Sequence, residues 1–406
     1  MVQHLPSFGW QPVVLTARED TFSAKDESLM NAANPDLKVF RAKGFEPFNA
    51  YRAFLGKKKD ELLVASETIS QTDRRVRHRL AIWIRMNVFV PDARIGWYWN
   101  AVKEGRGILR HGGAERIVSI GPPHTTLLVG KKLSAEFGIP HVPVFIDPWV
   151  DIAYYKGFRR SRLTELLDRR LERSVIEQAA DIIFVTRSMK EDYDARFPGI
   201  QEKSRVLYWG YDEDAFPEVP MKRSSGPEVL LHAGNIFDFQ NPTKLWATLR
   251  REIERGRDLK IEFVGTVGPG IRRAIDDAGL GSVATFKGFL PYKQMIGEIS
   301  HAAYLLVCAT EKRHVPGKLF EYVRAGKPIL AFGDDNKEVQ DILRSAKAGF
   351  LFPYSEDGAE FFRKVGTLRP DTKVVSRFER RAIAADLAAI LSHTPSPIPA
   401  ITPSKG

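Results

Sequence analysis

The residues best suited to chemistry stand in three short stretches. Residues 316–330 read Pro-Gly-Lys-Leu-Phe-Glu-Tyr-Val-Arg-Ala-Gly-Lys-Pro-Ile-Leu. A Pro-Gly turn opens a short helix, and free backbone amides at a helix start favour a diphosphate by hydrogen bonding and dipole. Pro316, Gly317 and Lys318 form that start, and Glu321, about one turn in, can accept hydrogen bonds from a ribose diol. Taken alone, the stretch is equally a helix start with a solvated Glu. Residues 119–126 (Ser-Ile-Gly-Pro-Pro-His-Thr-Thr) leave a strand and enter a helix, where open α/β sheets bind ligands. His124 there can orient or polarise a hydroxyl; the bland alternative is a structural histidine at a helix cap. Asp147, in Ile-Asp-Pro-Trp at 146–149, ends another strand. It contacts a polar substrate or simply turns the chain with Pro148.

Two other patterns carry less. Asp212-Glu213-Asp214 matches Asp-x-Asp, which can hold a metal, but three acidic residues in a loop are most often just solvated. Gly265, Gly268 and Gly270 follow a strand without the Gly-x-Gly-x-x-Gly spacing, which weakens a dehydrogenase reading. No metal-ligand cluster or nucleophile elbow stands out.

Short apolar runs at 12–16, 37–41, 116–120, 140–147, 181–186 and 204–209 alternate with helix-period stretches, and so do runs at 228–233, 260–264, 283–289, 304–309, 328–332 and 349–352. Several are almost wholly apolar, as in strands covered on both faces of a parallel sheet. Helices between them imply right-handed βαβ units. Leu163, Leu166, Leu167, Leu171, Val175 and Ala179 recur at helical spacing and predict an amphipathic helix. The expected fold class is α/β, with two doubly wound domains at 1–220 and 221–375, joined by a polar linker at 211–227. A helix at 376–392 closes the second domain or crosses back to the first, and the Pro/Ser-rich tail at 393–406 reads as disordered. Residues 1–8 read as a helix end stopped by Gly9, so the opening strand and Gly-rich turn of a doubly wound domain are expected to be missing.

The chain has 406 residues, more than one hydrophobic core accommodates. It is 43% hydrophobic and 27% charged, which excludes disordered, collagenous and disulfide-scaffold classes. The net charge of +11 favours anionic partners without choosing among them. Nucleic acid rests on that charge alone and is not expected. The lone Cys308 fits a reducing compartment. With no apolar run of membrane-spanning length and no secretory signal, the chain reads as cytoplasmic. Basic residues at 57–59 and 74–79 lie near Trp83, Trp97 and Trp99, so peripheral contact with an anionic membrane stays open. A solvated helical excursion with aromatic anchors is the default alternative.

The chain resembles the retaining GT-B glycosyltransferases of family 4, in particular the bacterial group that builds cell-surface polysaccharides. The resemblance runs through residues 5–16, 119–126, 147–149, 171–185, 209–216, 316–330 and 378–391 in that order. It implies two Rossmann-like domains facing a cleft, with a glycan or lipid-linked acceptor on the first and a UDP- or GDP-sugar donor on the second. It places Gly234 and Asn235 near the diphosphate, Gly288 and Leu290 at the base, Pro316–Lys318 at phosphate and sugar, and Glu321 on the ribose. His124 then faces the reacting sugar, with Asp147 as its companion. No metal or cofactor is generally required, because basic groups and helix dipoles neutralise the leaving diphosphate. Three departures stand out. Arg313 occupies the position eight residues before Glu321 where the family often has a first Glu, and Arg313 or Lys318 is expected to supply the charge at the donor instead. Asn235 stands at the likely Arg position, with Lys244 a loose candidate for the accompanying Lys. The Gly-rich turn is absent. The alternatives are a degenerate, non-catalytic relative acting as a binding or scaffold component, and a GT-B-type sugar-nucleotide epimerase.

Overall fold

The computed structural model describes residues 1–18, 36–44, 76–151, 160–217 and 226–393. In the first half, β1 (Val13–Ala17) pairs in parallel with β2 (Lys38–Ala42). Then β3 (Ile117–Gly121), β4 (His141–Phe145), β5 (Ile182–Phe184) and β6 (Ser204–Val206) form a separate parallel sheet in sequence order. Its helices are α1 (Val76–Asn87), α2 (Tyr98–Arg110), α3 (Thr125–Phe137), α4 (Arg162–Gln178) and α5 (Arg187–Arg196). Leu15 and Ala17 of β1 and Ile117 of β3 pack on one cluster built from Ala101, Val102, Val129 and Leu133 of α2 and α3. The two sheets thus share a helical cover, yet no described strand joins them. Val118 and Ile120 of the edge strand β3 stand exposed.

The second half contains β7 (Glu228–Ala233), β8 (Leu259–Val264), β9 (Ala284–Phe286), β10 (Tyr304–Cys308), β11 (Ile329–Phe332) and β12 (Gly349–Phe352). Helices α6 (Thr243–Glu254), α7 (Pro269–Asp277), α8 (Tyr292–His301), α9 (Lys318–Ala325), α10 (Lys337–Ser345), α11 (Ala359–Lys364), α12 (Thr372–Val375) and α13 (Arg380–Ser392) connect or follow them. The parallel sheet runs β12-β11-β10-β7-β8-β9. Strand order therefore reverses between β7 and β10, and the crevice beyond their carboxyl ends is where such a sheet binds ligands. Helix α13 returns to the first half, where Ile383, Leu387, Ala388 and Leu391 join a core with Leu5, Val175 and Ile183.

All twelve apolar runs overlap a strand, and several strands stop early for local reasons. β4 ends at Phe145, before the turn at Asp147-Pro148. β5 ends at Phe184, and Thr186 accepts a hydrogen bond from Met189 N as the cap of α5. β9 ends before Gly288, whose φ is +68.

Helix α4 departs from its periodicity. Leu163, Leu166 and Leu167 point outward, while Thr164, Asp168 and Glu172 are buried. The cause is a buried polar lattice. Asp168 accepts from Trp149 Nε1 at 2.6 Å and pairs with Arg160 at 2.7 Å. Glu172 accepts from the Tyr193 hydroxyl at 2.6 Å and pairs with Arg196 at 3.0 Å. The expected linker also starts as packed structure. Tyr211 and Phe216 are buried in the second core. Nor are its acidic residues simply solvated: Asp212 pairs with Arg380 at 3.5 Å, and Glu213 takes both ends of the Arg324 guanidinium. The remainder of that linker to residue 225, the 57–59 and 74–75 basic runs, and the tail beyond 393 lie outside the described residues.

Candidate functional site

The site begins where β7 and β10 diverge. His232 lies inside the otherwise apolar end of β7, with Nδ1 3.1 Å from the Leu306 carbonyl of β10 and Nε2 2.8 Å from Lys318 Nζ. An ammonium can only donate, so Nε2 accepts and Nδ1 carries the proton. Burial and the Lys318 charge hold the His232 pKa well below the usual range. Burial also lowers Lys318, to about 8. At neutral pH the pair is a neutral imidazole holding a cation. Gly234, the first residue past β7, has φ +108, and a Cβ there would come within 3.1 Å of the ammonium. Any other residue would be strained and would crowd the charge.

Backbone fills in the rest of the rim. Gly265 N donates to the Gly288 carbonyl at 2.6 Å. A Cβ on Gly265 would meet the Gly234 backbone at 2.7 Å, so the two turns touch only because Gly265 lacks a side chain. Asn235 is exposed, with its side-chain oxygen accepting from Thr266 N at 3.0 Å. Leu290 is half-buried against the second core.

Helix α9 starts at this rim. Gly317 is its N-cap, no side chain caps it, and Pro316 is buried with its carbonyl accepting from Leu319 N at 2.9 Å. The helix start therefore has amides available beside a cation, a combination suited to a diphosphate. One turn on, Glu321 is 6% exposed. Its Oε1 receives the Tyr292 hydroxyl at 3.3 Å, while Oε2 is buried without a partner among the described residues. Burial raises the Glu321 pKa, with its own backbone amide and Arg380 opposing. A buried acceptor without a partner is costly unless a ligand supplies donors.

Across the domain boundary, His124 caps α3 and is buried. Its ring stacks on Trp149, centroids 4.9 Å apart. Burial lowers its pKa to about 4, opposed by a hydrogen bond to the Asp147 main chain. Nε2 is buried and has no partner among the described residues. The neutral ring thus offers a lone pair to a hydroxyl. Two anchors set its position. The Asp92 carboxylate accepts from Thr125 N and Thr125 Oγ1, both at 2.9 Å, pinning the start of α3. Trp149 is fixed through Asp168 and through its amide, which donates to the Tyr193 hydroxyl at 3.0 Å. The Asp147 pKa is raised by burial and then by the Glu311 charge. Glu311 thus lies close enough for its charge to be felt at Asp147.

Two expected residues are engaged in other contacts. Lys244 is exposed and donates to the Ser355 carbonyl at 2.6 Å. Arg313 pairs with Asp192 of α5 at 3.0 Å, tying the halves together. A second tie is Glu338, which accepts from Arg187 N at 2.6 Å, Ser188 N at 2.9 Å and the Tyr208 hydroxyl at 2.9 Å. Three contributors escaped the sequence reading: His232, Glu311 and Asp92. A histidine within an apolar strand end was the available signal for His232. Glu311 lies ten residues before Glu321, outside the spacing considered.

Residues 227–371 match the family model described as "Glycosyl transferases group 1". Sucrose-phosphate synthase from Thermosynechococcus elongatus superposes with a TM-score of 0.60 at 14% identity, covering 96% of this chain and 90% of that one. Anabaena HepE in complex with UDP and glucose gives 0.58 at 13% identity, covering 95% and 100%. The lipopolysaccharide outer core galactosyltransferase WaaB gives 0.54 at 12% identity, covering 93% and 98%. The fold is GT-B. At these identities the likeness speaks for fold alone. No curated protein sequence matches the chain.

Proposed function

We propose that the chain is a retaining glycosyltransferase that moves a hexosyl group from a UDP- or GDP-sugar to a glycan or lipid-linked acceptor in cell-surface polysaccharide assembly. The observation that carries the reading is the cluster at the switch point: Lys318 held over Gly234 by His232, beside the uncapped start of α9, with the buried free oxygen of Glu321 one turn on. In this reading the α9 amides and Lys318 bind the diphosphate, and Glu321 binds the ribose. As the sugar–phosphate bond breaks, negative charge grows on the leaving diphosphate. Lys318 and the helix start stabilise it there without a metal. His124 Nε2 accepts a hydrogen bond from a hydroxyl of the transferred sugar, and the Asp147 carboxylate lies on the acceptor side. The group 1 match over the donor-side domain supports this reading. So does Anabaena HepE, a GT-B neighbour solved with UDP and glucose. The proposal places the enzyme in the cytoplasm, where a lipid-linked acceptor would be presented at the inner face of the membrane. No helix among the described residues is long and apolar enough to cross it.

Calorimetry with UDP- and GDP-sugars tests the reading, followed by product analysis with and without acceptor. Donor binding with acceptor-dependent transfer supports it. A changed sugar-nucleotide without acceptor makes the protein an epimerase. Binding without any turnover leaves a non-catalytic relative, and no binding to any donor removes the assignment.

A further inference from the structure

The outward leucines of α4 do not stand alone. Leu163, Leu166 and Leu167 are 76%, 66% and 45% exposed, and their i, i+3, i+4 spacing puts them on one face. The end of α1 is tied to the start of this helix. Ser161 N donates to Asn87 Oδ1 at 2.6 Å, Thr164 Oγ1 to the Asn87 carbonyl at 3.3 Å, and Arg160 Nε to the Met86 carbonyl at 3.4 Å. Along α1, Leu80 and Trp83 are also exposed, and so is Val88 just beyond it. Two joined helices thus present leucines and a tryptophan to solvent, more apolar surface than scattered residues account for.

The exposed charge around this surface is mostly positive. On the outer side of the first turns of α4, Arg162, Arg169 and Arg170 are exposed against a single exposed acid, Glu165. The other two acids, Asp168 and Glu172, are turned inward and neutralised by Arg160 and Arg196. Burying those carboxylates costs folding energy unless they are paired. It also clears negative charge from the outer face and turns the leucines outward. Leucine and tryptophan beside exposed arginine is the composition of a helix lying in the plane of a bilayer interface.

We propose that the joined ends of α1 and α4 dock on an anionic phospholipid surface, with Leu163, Leu166, Leu167 and Trp83 inserted and Arg162, Arg169 and Arg170 at the headgroups. The surface does not include the switch-point cluster, so failure of either assignment leaves the other standing.

The test is sedimentation of the full chain with phosphatidylcholine vesicles, with and without phosphatidylglycerol. Binding should require phosphatidylglycerol and weaken as salt is raised. Each basic residue near an anionic surface contributes about fivefold, so Arg169→Gln with Arg170→Gln should weaken binding about 25-fold. Leu163→Ser, Leu166→Ser and Leu167→Ser together should weaken it at least about tenfold. Both variants should melt like wild type. Should the triple variant fail to fold, the double arginine variant still decides. No binding to anionic vesicles would overturn the proposal, and so would binding that both variants leave intact. A dimer in sedimentation that dissolves in the leucine variant would also overturn it, because a second copy would then cover this face.

Discussion

Lys318 makes nucleotide affinity depend on pH in a calculable way. Its pKa in the free protein is about 8, against an ordinary 10.5. A diphosphate beside the ammonium stabilises the charged form and raises the pKa on binding. Affinity is then full below pH 8 and falls above it, because the complex must take up a proton. If the ligand restores the ordinary value, the dissociation constant rises about tenfold between pH 7 and pH 9, about 1.4 kcal/mol. His232 adds nothing over this range, since it stays neutral throughout. Bases such as uracil titrate near the upper end of the range, so the comparison that isolates the lysine is Lys318→Met. That variant should bind weakly at pH 7, show no lysine-dependent decline, and meet wild type at high pH. Calorimetry with a nucleotide-sugar, whose diphosphate is fully ionised throughout, is the assay. Parallel pH curves for the two proteins, or unaltered affinity in the variant, would refute the placement of Lys318 at the diphosphate.

Other residues yield separate expectations. Glu321→Ala should cost about 1–3 kcal/mol of nucleotide affinity by calorimetry, and less against a 2′-deoxyribose nucleotide that cannot use both hydrogen bonds. His124→Asn should lower kcat by about a hundredfold with little change in donor KM, measured in steady state. Because burial lowers the His124 pKa to about 4, wild-type activity should lack an acid limb near pH 6.5 from this residue. Asp168→Asn breaks a buried ion pair and should destabilise the protein by about 3–5 kcal/mol in urea unfolding. Glu338→Ala leaves the first amides of α5 without their acceptor, and should cost about 1–3 kcal/mol and enlarge the solution radius in X-ray scattering.

The strands were legible because parallel sheets covered on both faces leave unbroken apolar runs. The helix start at Gly317 and the position of Glu321 were legible because Pro-Gly and the following helical spacing are local. Long-range polar pairing was not. Nothing near α4 in sequence announces that Asp168 will meet Trp149 or that Glu172 will meet Tyr193, so counting leucines put the wrong face of its first turns inside. Asp92 serves an amide 33 residues away. Tyr211 and Phe216 sit in a stretch whose Asp, Glu and Pro content hid two core residues. Arg313 attracted notice by its spacing from Glu321, while the charge felt at Asp147 belongs to Glu311, two residues earlier.

The most direct measurement is a crystal structure with a nucleoside diphosphate bound. The account predicts phosphate oxygens at the start of α9 within reach of Lys318 Nζ and the Gly234 backbone, and ribose hydroxyls on the free oxygen of Glu321. Nucleotide bound elsewhere while this cluster keeps its present contacts would contradict it.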